Sequence, residues 1–275
     1  MDVLACPIDH HSLNLEVTVE TNDGLVDRGI LKCSKCDRKF PIENGIPKLR
    51  SDKELTLPEQ WWELANPTVL GNFMRGIDPH NQPIHCRIRD EVVKAGNSVL
   101  DVGCGTCIGY PLYEEVGVYY VGVDLTYRLL MDSKQYNVVP IVQGDARELP
   151  FKNESFDSVF CKDFLVHLPP DAYKLVLKEM WRVTRKLVMI GFFGHAVDIK
   201  TDFSHKISEP GTYGPVYWSY YPKTAITRIF NNLPRFNNLR TEKVGFEGGY
   251  RIDYRSLYIA EKKRAKPRRN IVIEN

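Results

Sequence analysis

Ser98-Val99-Leu100-Asp101-Val102-Gly103-Cys104-Gly105-Thr106 decides how the rest of this chain is read. An apolar strand runs straight into a glycine-rich turn and then a short helix, the order of elements that a nucleotide site needs. Glycine at 103 and 105 lets the backbone turn sharply and approach a ligand closely, where a side chain would obstruct. A lone Gly-x-Gly carries little weight, so the neighbouring segments must agree with it.

They do. A second apolar strand, Tyr119–Val123, ends in Asp124, about 20 residues after the glycines, which places a carboxylate where it can accept two hydrogen bonds from ribose hydroxyls. A third strand over 138–142 leads to Gln143-Gly144-Asp145-Ala146, and a fourth begins at Phe156-Asp157-Ser158-Val159. Four strand ends thus converge on one crevice. Pro169-Pro170-Asp171 starts a helix with Leu175, Leu177, Met180 and Trp181 as core positions. Strands over 186–193, 239–246 and 255–260 complete an α/β, doubly wound sheet.

The acid at 101 argues about the ligand. A carboxylate just before the loop repels a pyrophosphate and suits a ligand bearing an ammonium group; S-adenosylmethionine has that ammonium and lacks phosphate. Here the chain resembles the class I S-adenosylmethionine-dependent methyltransferases, in their small-domain "type 11" branch. The resemblance is carried by Val99-Leu100-Asp101-Val102-Gly103-Cys104-Gly105-Thr106, Gly122-Val123-Asp124-Leu125, Gly144-Asp145-Ala146 through Leu149-Pro150-Phe151, and Phe156-Asp157-Ser158-Val159, over roughly residues 95–193.

It implies a Rossmann-like seven-stranded sheet ending in an antiparallel pair, with S-adenosylmethionine as cofactor. Asp101, Gly103, Cys104 and Gly105 would surround the methionine part, and Asp124 would hold the ribose. Leu125 would pack on the adenine, Asp145 with Ala146 would meet its amino group and ring, and Lys162 completes the set. Cys107 stands where the family usually has a third glycine. The Cys-x-x-Cys formed by Cys104 and Cys107 is read as part of the cofactor loop, not as a redox or metal pair.

Methyl transfer from a sulfonium is an in-line displacement, so the protein's work is alignment and desolvation of the acceptor. Asp163 and His167 are the catalytic candidates, His167 being better suited to taking a proton near neutral pH; the alternative is that it only lines the pocket. Cys161-Lys162-Asp163-Phe164 stands where nucleobase-amine methyltransferases carry Asn/Asp-Pro-Pro-Tyr/Phe, which disfavours that subclass, and Cys161 reads as core. An insertion over 194–222, with His195, His205, Tyr213, Tyr217, Trp218, Tyr220 and Tyr221, reads as a lid for a flat or apolar substrate or as packing over the sheet's end. Trp61 and Trp62 either line the substrate site or are buried at a domain junction.

The first fifty residues form a separate module. Cys33 and Cys36 make a complete zinc knuckle; the other knuckle supplies Cys6, with Asp9, His10 and His11 as alternatives for the fourth ligand. A metal-free ribbon folding around Ile30, Phe40 and Ile46 is the other reading, although a domain this small rarely stabilises itself through burial alone. Phe40-Pro41-Ile42, Gly45-Ile46-Pro47 and Leu49 resemble the signature of a small zinc-ribbon family. Its members act as activator subunits of translation-related methyltransferases or are fused to methyltransferases, which implies a structural or partner-binding role.

The expected organisation is a ribbon over 1–50, a linker with helices over 51–97, a methyltransferase domain over 98–261 and a basic tail over 262–275. Of 275 residues, 43% are hydrophobic and 26% charged, ordinary values for a packed globular chain. Seven cysteines, an odd number, argue for reduced thiols and a metal over a disulfide framework. No apolar run of about 18 residues and no signal-peptide pattern is present, so a cytoplasmic location without membrane contact is expected. The net charge of +2 excludes little, but Lys262, Lys263, Arg264, Lys266, Arg268 and Arg269 crowd one end, where they would attract polyanions such as RNA. Three functions are compatible with these features. One is methylation of an oxygen, nitrogen or carbon of a small molecule; another is RNA- or protein-directed methylation in the translation apparatus; the third is a cofactor-binding scaffold without turnover.

Overall fold

The computed structural model describes residues 2–64, 82–133, 139–169, 171–193, 204–207, 217–246 and 253–264. The chain opens with four strands, β1 (Leu13–Glu20), β2 (Val26–Cys33), β3 (Lys39–Glu43) and β4 (Ile46–Leu49), then helices α1 (Leu57–Leu64) and α2 (Pro83–Ala95). The alternating half follows as β5 (Ser98–Val102), α3 (Tyr110–Glu114), β6 (Tyr119–Asp124), α4 (Tyr127–Ser133), β7 (Ile141–Gly144) and β8 (Phe156–Lys162). After a 3-10 turn at Leu165–His167 come α5 (Ala172–Val183), β9 (Thr184–Phe193), β10 (Ser204–Ile207), β11 (Tyr217–Tyr220), α6 (Lys223–Asn231), β12 (Phe236–Phe246) and β13 (Asp253–Lys262).

β5 reads as an apolar run because all five of its residues are buried, as expected of a strand covered on both faces. It lies between β6 and β8, parallel to both. β7 joins parallel outside β6, β9 parallel outside β8, and β13 and β12 close that side antiparallel. The order β7-β6-β5-β8-β9-β13-β12 is the doubly wound sheet expected from the sequence. Its chain direction reverses its walk at β5, and ligands of such sheets bind in the crevice outside the strand ends at that reversal.

The sheet does not stop at β7. Ribbon strand β4 pairs with it in parallel, Lys48 opposite Gln143 and Leu49 opposite Gly144, so eleven of the thirteen described strands form one sheet that runs on through β3 and β2 to β1, while β10 and β11 pair with each other apart from it. The β3–β4 hairpin turns on Asn44-Gly45 with φ of 52° and 73°, the paired left-handed residues that a two-residue turn demands. A second seam lies beside it: the amide of Ala5 donates to Pro150 O at 2.9 Å and that of Lys152 to Val3 O at 2.9 Å. Leu4, Leu31, Phe40, Ile42 and Leu49 of the ribbon therefore share a core with Val142, Leu149 and Phe151. Ile30 is only half-buried, and its neighbour Leu31 is the residue that faces inward.

α5 buries Tyr173, Val176, Leu177, Met180 and Trp181, a stripe at i, i+3, i+4, i+7 and i+8. Leu175 was expected in that core and is instead 50% exposed, because it falls on the far side of the stripe. Lys262, placed with the tail by its sequence, is the last residue of β13; its ammonium donates to Trp181 O and Thr184 O at 2.9 Å each. Lys266, Arg268 and Arg269 lie outside the described residues, as do His195 and Tyr213 and the side chains of His205 and Tyr220. Among the described residues no helix is long and apolar enough to cross a membrane.

Candidate functional site

The loop after β5 needs left-handed backbone at two positions, which its glycines supply without strain. Gly103 has φ of 73°, its amide donates to Val123 O at 2.8 Å, and a Cβ there would sit 2.3 Å from the Phe164 ring. Cys107 also takes a positive φ, 54°, so this cysteine does adopt the backbone conformation of the glycine it replaces. It and Cys104 are buried beneath the loop.

Two carboxylates edge this loop. Asp101 is 8% exposed and accepts a hydrogen bond from the Tyr120 hydroxyl at 2.7 Å. Burial pushes its carboxyl up to about 7, against the opposing pull of that hydrogen bond and of the Lys162 charge. Asp124, at the tip of β6, accepts the Gly105 amide on Oδ2 at 2.9 Å and the Thr126 amide on Oδ1 at 2.8 Å. The Thr126 hydroxyl and the Leu125 amide also bear on it, so the carboxylate is fixed in place at the mouth of the loop. Burial raises its pKa, and these amides work in the opposite direction.

Beyond them the structure separates the expected residues. Leu125 O accepts the Gln143 side chain at 2.9 Å, which ties the β6 tip to the β7 tip. Asp145 is engaged by Arg147, with Nη2 at 2.7 Å from Oδ2 and Nε at 2.9 Å from Oδ1, while Ala146 is buried beside it. At the end of β8, Lys162 and Arg255 both reach Asp163 Oδ2, at 2.9 and 2.7 Å, whereas Asp163 Oδ1 is buried without a hydrogen-bond partner. His167 lies one turn further on, its Nδ1 3.1 Å from Tyr217 O. Cys161 is core, as expected.

The ribbon gathers Cys6, Asp9, Cys33 and Cys36, whose ligating atoms all lie within 4.8 Å of one another. Cys6 Sγ and Cys36 Sγ are 3.7 Å apart. Two sulfurs on a tetrahedral zinc are separated by about 3.8 Å, given Zn–S bonds near 2.3 Å, so the donor set fits that ion in both chemistry and spacing. Knuckle amides of Lys35 and Cys36 point at Cys33 Sγ, and the His11 amide donates to Asp9 Oδ1 at 3.1 Å and orients it. Of the three alternatives for the fourth position, Asp9 lies in the cluster. His10 stands outside it, its ring turned to the field of Arg182 and Glu179 on α5.

Residues 100–190 match the family model for a methyltransferase domain, and residues 1–45 match that of Trm112p-like proteins. The chain carries a methyltransferase domain behind a Trm112p-like domain. Over 98 residues it is 38% identical to the phosphatidylethanolamine N-methyltransferase of Cereibacter sphaeroides, a match covering 33% of this chain and 47% of that enzyme. The demethylmenaquinone methyltransferase of Staphylococcus haemolyticus is 36% identical over 110 residues, which is 38% of this chain and 45% of that one. The chain thus spans about half the length of the curated relatives it matches. The structure of the complex containing the Haloferax volcanii Trm112 methyltransferase activator superimposes with a TM-score of 0.57, covering 73% of this chain and 97% of that one at 11% identity. At that identity the likeness is one of fold.

Sequence reasoning missed how the helix between the two domains is used. α1 reaches three loops of the methyltransferase domain at once: Glu59 Oε1 meets Arg147 Nη2 at 2.9 Å, Glu63 accepts the Tyr127 amide at 3.1 Å, and the Trp62 ring lies 5.4 Å from that of His167. Tyr127 in turn reaches the Trm112p-like domain, its hydroxyl taking the Asn44 amide group at 2.8 Å while Lys48 sits over its ring. No local pattern marks these residues, because each is meaningful only through a partner distant in sequence.

Proposed function

We propose that the chain moves the methyl group of S-adenosylmethionine to a small-molecule acceptor. The observation that carries this reading is the pair of acids that edge the glycine loop, Asp101 buried and Asp124 half-buried. In this reading Asp101 would balance an ammonium group, and Asp124, held by the Gly105 and Thr126 amides, would meet the ribose hydroxyls. A site built for pyrophosphate would present amides and cations in their place. The cofactor supplies an electrophilic methyl group on a positively charged sulfur. The chain's own residues bind, orient and exclude water: Gly103, Cys104 and Gly105 admit the ligand closely, and Leu125 and Ala146 offer apolar contact. Lys162 and Arg255 pair with Asp163, and Asp145 would reach an adenine amino group only by sharing its oxygens with Arg147.

A second reading has a macromolecular acceptor, RNA or protein, and rests on the Trm112p-like domain. A scaffold that binds the cofactor without turnover is the third. In all of them the cysteine cluster would hold a zinc ion and stiffen the ribbon, with no part in the chemistry. Calorimetry with S-adenosylmethionine and its demethylated product, followed by tritiated-methyl labelling of a fractionated extract, tests these readings. Label in small molecules supports the first, label in RNA or protein the second, and binding without any labelled product the third. No heat with either nucleoside would remove all three.

A further inference from the structure

Beside the cofactor crevice stands a second constellation that the roles above leave unused. The His167 ring lies between two indoles, 5.4 Å from Trp62 on α1 and 5.1 Å from Trp218 on β11, and Trp61 meets Trp62 edge-on at 5.0 Å. All are partly exposed, unlike the structural Trp181, which is 1% exposed. Core packing would bury such rings fully; here a triad drawn from three separate segments is only half-buried.

Hydrogen bonding fixes the histidine's chemistry. Its Nδ1 contacts the carbonyl oxygen of Tyr217, which can only accept, so Nδ1 carries the proton and the neutral ring leaves Nε2 with a bare lone pair. Two further bonds set the surroundings: Ser219 Oγ donates to Leu168 O at 2.9 Å and the Tyr221 hydroxyl to Leu165 O at 2.8 Å, clamping β11 and the residue after it onto the turn that bears His167. The charged group that bears on the imidazole is Asp163, paired with Lys162 and Arg255. On α1, Glu59 is paired with Arg147 and Glu63 receives the Tyr127 amide; among the described side chains of β11 the titratable one is the phenol of Tyr217. Burial lowers the pKa of His167 and keeps the ring neutral at physiological pH.

We propose that Trp62, His167 and Trp218 form the acceptor site, and that its substrate is a planar conjugated ring carrying an ionisable O–H or N–H. The inference rests on the methyl-transfer reading above. The ring lies against the indoles, and its O–H or N–H points at Nε2. As the acceptor oxygen or nitrogen forms its bond to the methyl carbon, the carbon–sulfur bond of the sulfonium breaks and its electron pair stays on sulfur. The acceptor's proton passes to Nε2, and the imidazolium then releases it to water. Products are the methylated ring, S-adenosylhomocysteine and one proton, so no further reactant is needed.

The test uses the full chain with S-adenosylhomocysteine bound and 2-naphthol as probe. Naphthol is expected to quench the indole fluorescence and, with S-adenosylmethionine, to yield its methyl ether by mass spectrometry. Trp62→Ala and Trp218→Ala should each weaken naphthol at least tenfold while S-adenosylhomocysteine affinity stays within twofold, the latter showing that the fold is intact. His167→Asn should keep naphthol binding but lower turnover at least a hundredfold at neutral pH, with the rate recovering as the pH approaches naphthol's own pKa. The inference is overturned if S-adenosylhomocysteine binds and naphthol does not, if the tryptophan variants bind naphthol as the parent does, or if choline or bulk tRNA occupies the site in naphthol's place. Failure of S-adenosylhomocysteine itself to bind overturns the methyl-transfer reading, and this inference with it.

Discussion

The two ends of the sheet are stabilised on different terms. From β7 to β13 the strands are covered on both sides, and α5 alone contributes five large buried side chains. From β1 to β4 the buried side chains are few, Leu31, Cys33, Phe40, Ile42 and Leu49 on the face continuous with the main core and Ile46 on the other, and β1 has no fully buried residue. So small a set rarely holds a fold by burial alone. The thick end can therefore carry left-handed glycines and a buried acid, whereas the thin end depends on its cysteine cluster and on the seam with β7.

The largest expected effect breaks that contrast at its weakest point. Cys33→Ser, or chelation, should cost the ribbon about 3 kcal/mol or more, because metal binding and folding are one equilibrium in such modules. Hydrogen exchange should show protection lost in β2 and β3 and kept in β5 and β8; equal loss at both ends would mean that they are not energetically distinct. Asp124→Ala probes the thick end. It removes acceptors of charge-assisted hydrogen bonds and should weaken S-adenosylmethionine by about 2–3 kcal/mol, roughly 30- to 150-fold by calorimetry, with β2 and β3 unaffected.

A pH series sharpens the same comparison with a smaller effect. Asp101 is raised from the ordinary 3.8 to about 7, so ionising it costs the folded chain stability, and that loss accrues as pH climbs from 3.8 through about 7. A cation in the crevice favours the ionised form. Cofactor affinity should therefore run the other way, rising about tenfold, some 1.4 kcal/mol, per pH step below 7 and levelling above it. Asp101→Asn should flatten the profile, and a slope that survives in this variant would assign the titration elsewhere. The smallest effect is expected where the two ends touch. Tyr127→Phe removes the Asn44 hydrogen bond and should cost about 1 kcal/mol by chemical denaturation, with a matching slight loss of cofactor affinity if the ribbon steadies the β6 loop.

What could be read from the sequence divides along a physical line. The strand, loop and acid at 98–124 were legible because their function depends on neighbours a few residues apart, and so was the Cys33–Cys36 knuckle. The parallel pairing of β4 with β7 was not, since a four-residue strand carries no mark of a partner almost a hundred residues on. Glu59 meeting Arg147 was likewise not legible, since it comes from a helix that looked like part of a linker. Leu175 was misplaced for a simpler reason: hydrophobicity was counted without fixing the phase of the helix, and Val176, one position on, takes the inward direction.

The pairing of Lys48 and Leu49 with Gln143 and Gly144 has one more consequence. A strand at the rim of a sheet presents unmet amides and carbonyls that other chains can zip onto. In this molecule the rim of the β5–β9 half, at β7, is capped by a piece of its own polypeptide, tethered through the same chain. The seam forms at an effective local concentration that dilution cannot lower. Stoichiometry is then fixed at one to one by covalent linkage, and a competing strand can take the place only by peeling β4 away first.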